Sequence, residues 1–238
     1  MDKESNAWNY FDRLYCVSLK EREDRRQSAL KEFAKVGLAD RVEFLIGERL
    51  PYDFEQQVYE SHMICLRKGL EAGAQTIAIF EDDIEFDRFD LKRLRSCVEF
   101  LRQHPDWKVF LFGALIRSSC KTNNPCVQKV CYQSLTHAYA LNRHYAQILA
   151  YVPWNGIVND TIFQPLTDDV YAICPMCAFQ KKFTTNNYKY PILTVIRNLL
   201  GGLKRIQKCN EFYQRHKFGI IAAHVVIILF LLISISLI

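Results

Sequence analysis

Three consecutive acids, Glu81, Asp82 and Asp83, directly follow the apolar run 77–80. A β-branched and aromatic run of this kind predicts a buried strand. In open α/β sheets, ligands bind at the carboxyl ends of the strands. Carboxylates crowded there repel one another unless hydrogen bonds or a cation compensate, and a hard divalent ion with oxygen ligands is the simplest compensator. The residues alone leave two interpretations open, a metal site that binds phosphate and a solvated acidic turn.

Arginines follow the first predicted strand, 14–19, where the sequence continues as a helical pattern. Arg22, Arg25 and Arg26 fall at the start of that helix. Helix N-termini and guanidinium groups both favour phosphate. A solvated, charged first turn is the alternative.

Four further candidates lie in later segments. Ser61 and His62 belong to a predicted helix at 56–72, with Lys68 six residues after His62. Asp160 follows Asn159 in a turn-like stretch. Taken singly, a helical histidine and a turn aspartate are more typical of packing and turn formation than of catalysis.

Strand and helix patterns alternate along the first half of the chain and are mixed later. With 238 residues, the chain is long enough for one full α/β domain. The alternation predicts an α/β sandwich with a largely parallel central sheet. The predicted strands are 14–19, 41–46, 76–80, 108–113, 127–132, 136–141 and 170–173.

The C-terminal segment 219–238 is apolar and carries no formal charge. At about 1.5 Å per residue it would cross a bilayer core of about 30 Å, which predicts a transmembrane helix. Arg215 and Lys217 precede it, and basic flanks favour the cytoplasmic side. The predicted organisation is a catalytic domain at 1–182 facing the cytoplasm, a basic juxtamembrane region at 183–218 and a single-pass tail anchor at 219–238.

The polar N-terminus lacks the apolar core of a signal peptide, so the cysteines are expected to be reduced thiols. There are nine of them, and an odd number excludes a fully paired disulfide framework. Cys120, Cys126 and Cys131 are closely spaced, and Cys174 and Cys177 form a C-x-x-C pair, which leaves a zinc site as an alternative. The net charge is +5, part of the basic excess lies in the block before the apolar tail, and no nucleic-acid partner is expected.

In this order and spacing, the segments resemble the family 25 glycosyltransferases, which include bacterial lipooligosaccharide galactosyltransferases and collagen-modifying galactosyltransferases. The resemblance covers about 14–180. It is carried by VSL at 17–19 with Arg25 and Arg26, Ser61-His62 with Lys68, IAIFEDDIEF at 77–86, FLFG at 110–113, THAYAL at 136–141, Asp160 and the ending 175–180. Members often have a glycine where this chain has Leu135, so the geometry of that loop is in question.

The resemblance implies a GT-A-like nucleotide-sugar-binding fold, a UDP-sugar donor and a divalent cation, commonly Mn²⁺, with Mg²⁺ as the alternative. It implies that Glu81 and Asp83 bind the metal and that Asp160 is the general base of an inverting transfer, with Asp168 or Asp169 as alternatives. The donor and cofactor contacts implied are Ser18, Arg25, Arg26, Ser61, His62, Lys68, Asp82 and Gln180.

The function predicted on this basis is transfer of a hexose, with galactose expected, from a UDP-sugar to a glycan or lipid-linked acceptor at a membrane surface. The alternative is a catalytically inactive GT-A-fold protein that serves as a membrane-tethered adaptor. A metal-dependent phosphohydrolase is a further alternative. It would be expected to carry additional His or Asp ligand clusters, and the sequence shows none.

Overall fold

A computed structural model describes residues 6–50, 53–183 and 191–236, with side chains described as far as residue 229. The strands are Arg13–Leu19 (β1), Val42–Gly47 (β2), Thr76–Glu81 (β3), Ile84–Phe86 (β4), Val109–Lys121 (β5), Val127–Asn142 (β6), Val170–Ile173 (β7) and Ala178–Gln180 (β8). The α-helices are Glu23–Lys35 (α1), Phe54–Glu71 (α2), Leu91–Gln103 (α3), Arg143–Leu149 (α4), Pro191–Leu199 (α5) and Leu203–Ser236 (α6). Short 3₁₀ helices occur at Ala7–Tyr10 and Asn159–Thr161.

The central sheet has the strand order β2-β1-β3-β6-β5-β7, and β4 pairs with β8 in a small second sheet. Strand β1 runs parallel to β2 and β3, and β5 runs parallel to β7. Strand β6 runs antiparallel to β3, β5 and β7. Five of the six strands in this sheet therefore run in one direction, which confirms the prediction of a largely parallel sheet. Strand β6 runs in the opposite direction. The physical reason is the short connection from β5 to β6, which returns the chain as a hairpin rather than through a crossover helix.

Strand β3 is buried on both faces, which explains its uninterrupted apolar sequence. Ile77 and Ile79 pack into one core with α2 and α4, whereas Ala78 and Phe80 pack into the other with α1 and α3. The helices thus form layers on either side of the sheet. This burial fixes where β3 ends, and the acidic triplet begins at that point.

The strands predicted separately at 127–132 and 136–141 form one long strand, β6, with an irregularity between them. Leu135 lies at this irregularity with a φ of 77°. Non-glycine residues adopt this left-handed conformation at a cost of about 1 kcal/mol. The glycine common at this position in the family that the sequence resembles would adopt it without that cost.

Helix α6 packs against the sheet through its first half. The buried side chain of Gln207 donates a hydrogen bond of 2.9 Å to the carbonyl of Ala178 in β8. Asn210 exchanges two hydrogen bonds of 3.0 Å with the backbone of Ile116 in β5. Part of the region predicted as juxtamembrane, 183–218, therefore lies against the sheet, although 184–190 fall outside the described residues.

The prediction of a C-terminal transmembrane helix is wrong. In the part of the chain that the structure describes, no helix is long and apolar enough to cross a membrane. The apolar segment does not form a separate helix, because it continues α6, whose first turns carry Lys204, Arg205 and Lys208. Residues 237 and 238 of the predicted span lie outside the described residues. The predicted single-pass, cytoplasm-facing localisation depended on that helix and is corrected with it.

Candidate functional site

The candidate site lies at the carboxyl ends of β1 and β3. Val17 in β1 pairs with Glu81 in β3, so Ser18 lies beside the acidic triplet. Ala138 in β6 pairs with Phe80, which brings Thr136 to the same edge. Val17, Ser18 and the acidic triplet border a cavity of about 480 Å³, a volume typical of small-molecule sites.

Asp82 is held rigidly by its neighbours. Its carboxylate accepts a hydrogen bond of 2.6 Å from the Ser18 hydroxyl and one of 3.2 Å from the guanidinium of Arg25. Arg25 lies in the first turn of α1, directly after β1, and it also lies 3.6 Å from the Asp83 carboxylate. With a charged partner and only 6% exposure, Asp82 organises the acidic triplet rather than presenting a free carboxylate.

Glu81 and Asp83 converge on one side chain. The amide nitrogen of Gln180 lies 3.3 Å from Glu81 Oε2 and 3.5 Å from Asp83 Oδ1. Burial raises the pKa of Glu81 well above its ordinary value, and the charges of Asp83 and Asp160 raise it further. Burial likewise raises the pKa of Asp83 to about 6, although Arg25 opposes the rise. Repulsion between these groups is the condition that a bound cation relieves.

The pair fits a divalent cation. Two convergent carboxylates at a cavity wall supply hard oxygen ligands, and Mg²⁺ in particular is commonly bound by one or two carboxylates together with substrate phosphates and water. Within the described ranges, no group of three or more His, Cys, Asp or Glu side chains could hold a metal ion by itself. The protein would therefore supply part of the coordination shell, from Glu81 and Asp83, and the remaining ligands would come from elsewhere.

His62 lies behind Glu81 and is fully buried in α2. Its Nε2 atom is 3.7 Å from Glu81 Oε1, and its Nδ1 atom is 2.9 Å from the hydroxyl of Tyr139. Burial lowers the pKa of His62 to about 3, so the ring is neutral near pH 7. Burial also raises the pKa of Tyr139 well above its ordinary value, so its hydroxyl keeps its proton. If that hydroxyl donates to Nδ1, the ring proton lies on Nε2 and faces the Glu81 carboxylate.

Asp160 is positioned by β6. Its Oδ1 atom accepts a hydrogen bond of 3.1 Å from the backbone nitrogen of Thr136 and one of 3.2 Å from the Thr136 hydroxyl. Asn159 donates to the same hydroxyl at 2.7 Å, so the hydroxyl proton is directed to Asp160. The Tyr132 hydroxyl donates to the Asp160 carbonyl at 2.8 Å. One carboxylate oxygen is therefore fixed, and Asp160 lines the cavity.

The two alternative bases lie at the opposite end of the strands from the acidic triplet. Asp168 pairs with Lys129 at 3.1 Å, and Asp169 pairs with Lys108 at 3.0 Å. Both residues precede β7, which is parallel to β5 and hence to β3, so they are near the amino ends of these strands. Neither borders the cavity that contains the acidic triplet.

No family model matches the chain. Among solved structures, A197 from STIV is similar with a TM-score of 0.46 and 13% identity, covering 72% of this chain and 86% of its own. A glycosyltransferase involved in the glycosylation of the major capsid of PBCV-1 is similar with a TM-score of 0.39 and 9% identity, covering 64% and 75%. A UDP-glucose pyrophosphorylase complexed with UDP-glucose gives a TM-score of 0.37 and 10% identity, covering 67% and 71%. Similarities at this distance assign neither a family nor an activity, so membership of glycosyltransferase family 25 stays a prediction.

The other predicted contacts are divided between the cavity and its surroundings. Ser61 borders the cavity, where its hydroxyl donates to the Gln57 carbonyl at 2.8 Å. Arg26 donates to the carbonyls of Leu19 and Lys20, which fixes the turn from β1 into α1. Lys68 pairs with Glu43 of β2 on the surface and does not border the cavity.

The cysteines do not form a metal site in the described structure. Cys174 and Cys177, the pair considered for zinc, are free thiols, as are the other cysteines. Burial raises the pKa of Cys177 to about 12, so the thiol stays protonated and packs as a small apolar group.

Sequence reasoning missed one wall of the cavity, which the C-terminal segments supply. Lys182, Phe183, Arg197 and Lys204 border it. The available signal was the concentration of basic residues after 181. That pattern was interpreted as a membrane flank, although it is equally typical of a binding site for an anion.

Proposed function

We propose that the chain is a glycosyltransferase that moves a hexose from a UDP-sugar to a glycan acceptor with the help of a divalent cation. The observation that carries the proposal is the meeting of Glu81, Asp83 and Asp160 in one cavity at the carboxyl ends of β1 and β3. The identity of the sugar, galactose, and of the nucleotide, uridine, rests on the sequence resemblance alone.

Glu81 and Asp83 would hold the cation, which is Mn²⁺ or Mg²⁺. Such an ion offsets the negative charge that develops on the departing nucleoside diphosphate. The surrounding residues keep the two carboxylates in place, since Gln180 donates to both and Arg25 fixes Asp82 between them. A preorganised carboxylate pair avoids the cost of gathering like charges when the substrate arrives.

Asp160 would act as the general base. Thr136 occupies its Oδ1 atom through two hydrogen bonds, which leaves Oδ2 to accept the proton of an acceptor hydroxyl. Direct attack by that hydroxyl on the anomeric carbon inverts its configuration and needs a single base. A fixed orientation matters because proton transfer requires the base within hydrogen-bond reach of the hydroxyl.

A donor screen tests the proposal. The full chain is incubated with several UDP-sugars and a mixed glycan acceptor pool, with Mn²⁺, Mg²⁺ or EDTA, and free UDP is measured. We expect metal-dependent UDP release, and we expect the double variant Glu81→Gln/Asp83→Asn to lose it. Glu99→Gln, on the exposed face of α3, is the matched control and should retain full activity.

Three outcomes contradict the proposal in different ways. Undiminished UDP release by the double variant would show that Glu81 and Asp83 do not hold a cation that the reaction needs. UDP binding without turnover of any donor would favour the adaptor function. Release of inorganic phosphate from simple phosphate esters, without sugar transfer, would favour the phosphohydrolase.

A further inference from the structure

Some of the basic side chains around the cavity form ion pairs with acidic residues of the protein, and others do not. On the basic side, Arg25 is bound to Asp82, and Lys181 is bound to the buried carboxylate of Glu32 at 2.7 Å. Lys204 is bound to Glu85 at 2.8 Å and to Asp87 at 3.0 Å. These three cations are neutralised by the protein itself.

The remaining basic residues of the cavity wall are Lys182 and Arg197. In the part of the chain that the structure describes, neither has a hydrogen bond or an ion pair with a carboxylate. Arg197 is half-buried, so its guanidinium is partly removed from water without a compensating anion. A partly desolvated charge without a partner favours an anionic ligand.

Both residues are held at the cavity by independent elements. Lys182 follows Lys181, whose backbone nitrogen donates to the Asp83 carbonyl at 2.7 Å. It precedes Phe183, whose ring centroid lies 5.3 Å from the guanidinium carbon of Arg25. These contacts attach the segment 181–183 to the acidic triplet itself.

Arg197 belongs to α5, which is followed by the turn Gly201-Gly202. Both glycines have a φ of 87°, a conformation that is strained for any residue with a side chain. The turn places the third turn of α5 and the first turn of α6 at the same cavity. The polar residues Arg197 and Asn198 line the cavity, whereas Val195, Ile196 and Leu199 are exposed.

We propose that Lys182 and Arg197 form a diphosphate-binding wall of the cavity, opposite in charge to the pair Glu81 and Asp83. This inference rests on the proposed function and extends it to residues beyond 180, where the sequence resemblance ends. A metal-bound diphosphate presents positive charge on one side and phosphate oxygens on the other. An acidic wall and an unpaired basic wall in one cavity complement both sides.

Binding measurements on the full chain test the wall without requiring turnover. Calorimetry with Mn²⁺ present compares UDP, UMP and inorganic pyrophosphate for the wild type, Arg197→Gln, Lys182→Gln and the double variant. We expect Arg197→Gln to raise the dissociation constants of UDP and pyrophosphate roughly ten-fold or more. We expect the double variant to raise both further. The dissociation constant of UMP, which lacks the second phosphate, should change by only roughly two-fold. Arg205→Gln is the matched control, since Arg205 is exposed in α6 and does not border the cavity.

Melting curves accompany these measurements, and none of the variants should unfold, because Arg197 lies in α5, which has no buried residues, and Lys182 is exposed. UDP binding by the variants at wild-type affinity would overturn the wall while leaving the proposed function intact. Pyrophosphate binding that depends on Arg197, in a protein that transfers no sugar, would support the wall and overturn the proposed function. A wild-type protein that binds neither UDP nor pyrophosphate would overturn the wall.

Discussion

The Nε2 atom of His62 lies 3.7 Å from Glu81 Oε1, and His62 is fully buried at that position. At this separation the ring and the carboxylate do not form a tight hydrogen bond. A shift of well under 1 Å would form one. His62 is therefore a positioning residue for Glu81, because it reaches the carboxylate from behind rather than from the cavity.

His62→Phe should raise the Mn²⁺ concentration that gives half-maximal UDP release by roughly ten-fold or more, because residues behind metal ligands tune affinity at this scale. His62→Gln retains an N–H group that can reach Glu81, so it should raise that concentration less. The measurement is the Mn²⁺ dependence of UDP release, with a melting curve for each variant. An unchanged Mn²⁺ dependence in His62→Phe would show that the ring only fills space.

Asp83→Asn should stabilise the metal-free protein, and the gain should grow between about pH 4 and pH 6. Burial raises the pKa of Asp83 from 3.8 to about 6, so the folded state holds this proton more tightly than the unfolded state. Stability from this group is therefore present at low pH and is lost as the pH rises through that window. The measurement is the melting temperature in EDTA across pH 4 to 7.

The informative quantity is the difference between Asp83→Asn and the wild type, because other carboxylates also titrate in this range. Asp87, by contrast, titrates below this range in the folded state, because hydrogen bonds from Lys208 and Lys204 lower its pKa to about 2. Glu99→Gln is the control and should show no such trend. A difference that stays constant from pH 4 to 7 would contradict the expected linkage.

Leu135→Gly should be at least as stable as Leu135→Ala, which reverses the usual order in strands. Both variants lose the packing of a side chain that is only 2% exposed, but only glycine relieves the φ of 77°. The relief amounts to about 1 kcal/mol. At an ordinary strand position, glycine is instead roughly 0.5–1 kcal/mol less stable than alanine. Denaturant unfolding measures both differences, with Ala140→Gly in the same strand as the control that should destabilise.

Thr136→Val should lower kcat by roughly ten-fold or more, with little change in the KM for the donor. The substitution keeps the shape of the side chain but removes the hydroxyl that links Asn159 to Asp160. Thr136→Ser restores the hydroxyl and should recover most of the rate. Equal activity in the valine and serine variants would show that the Thr136 hydroxyl does not contribute to the action of Asp160.

Features of the fold that depend on neighbouring residues could be predicted from the sequence, and features that depend on contacts between distant residues could not. Strand β3 and the acids after it could be predicted, because burial on both faces is recorded in the local apolar run 77–80. The position of Asp160 relative to the triplet depends on the register of β6 against β3, which joins residues far apart in the chain. No local pattern specifies that register.

Lys68, which was predicted as a donor contact, and Arg197, which was not predicted, illustrate the same limit. Lys68 pairs with Glu43, 25 residues earlier, because β2 lies beside β1 at the edge of the sheet. Arg197 reaches the cavity because α6 packs on the sheet through polar contacts such as that of Gln207 with Ala178. Composition alone made this region resemble a membrane flank.

The packing of α6 also limits how far the protein can be shortened. Glu211 accepts a hydrogen bond of 2.8 Å from the backbone of Met176 and pairs with Arg88, and Gln214 donates to the carbonyl of Ile116. A truncation after residue 182 would remove these partners and expose β8, on which α6 packs. Expression trials and crystallisation should therefore keep the chain at least through Gln214, and fusion partners are better placed beyond that residue than within the basic region.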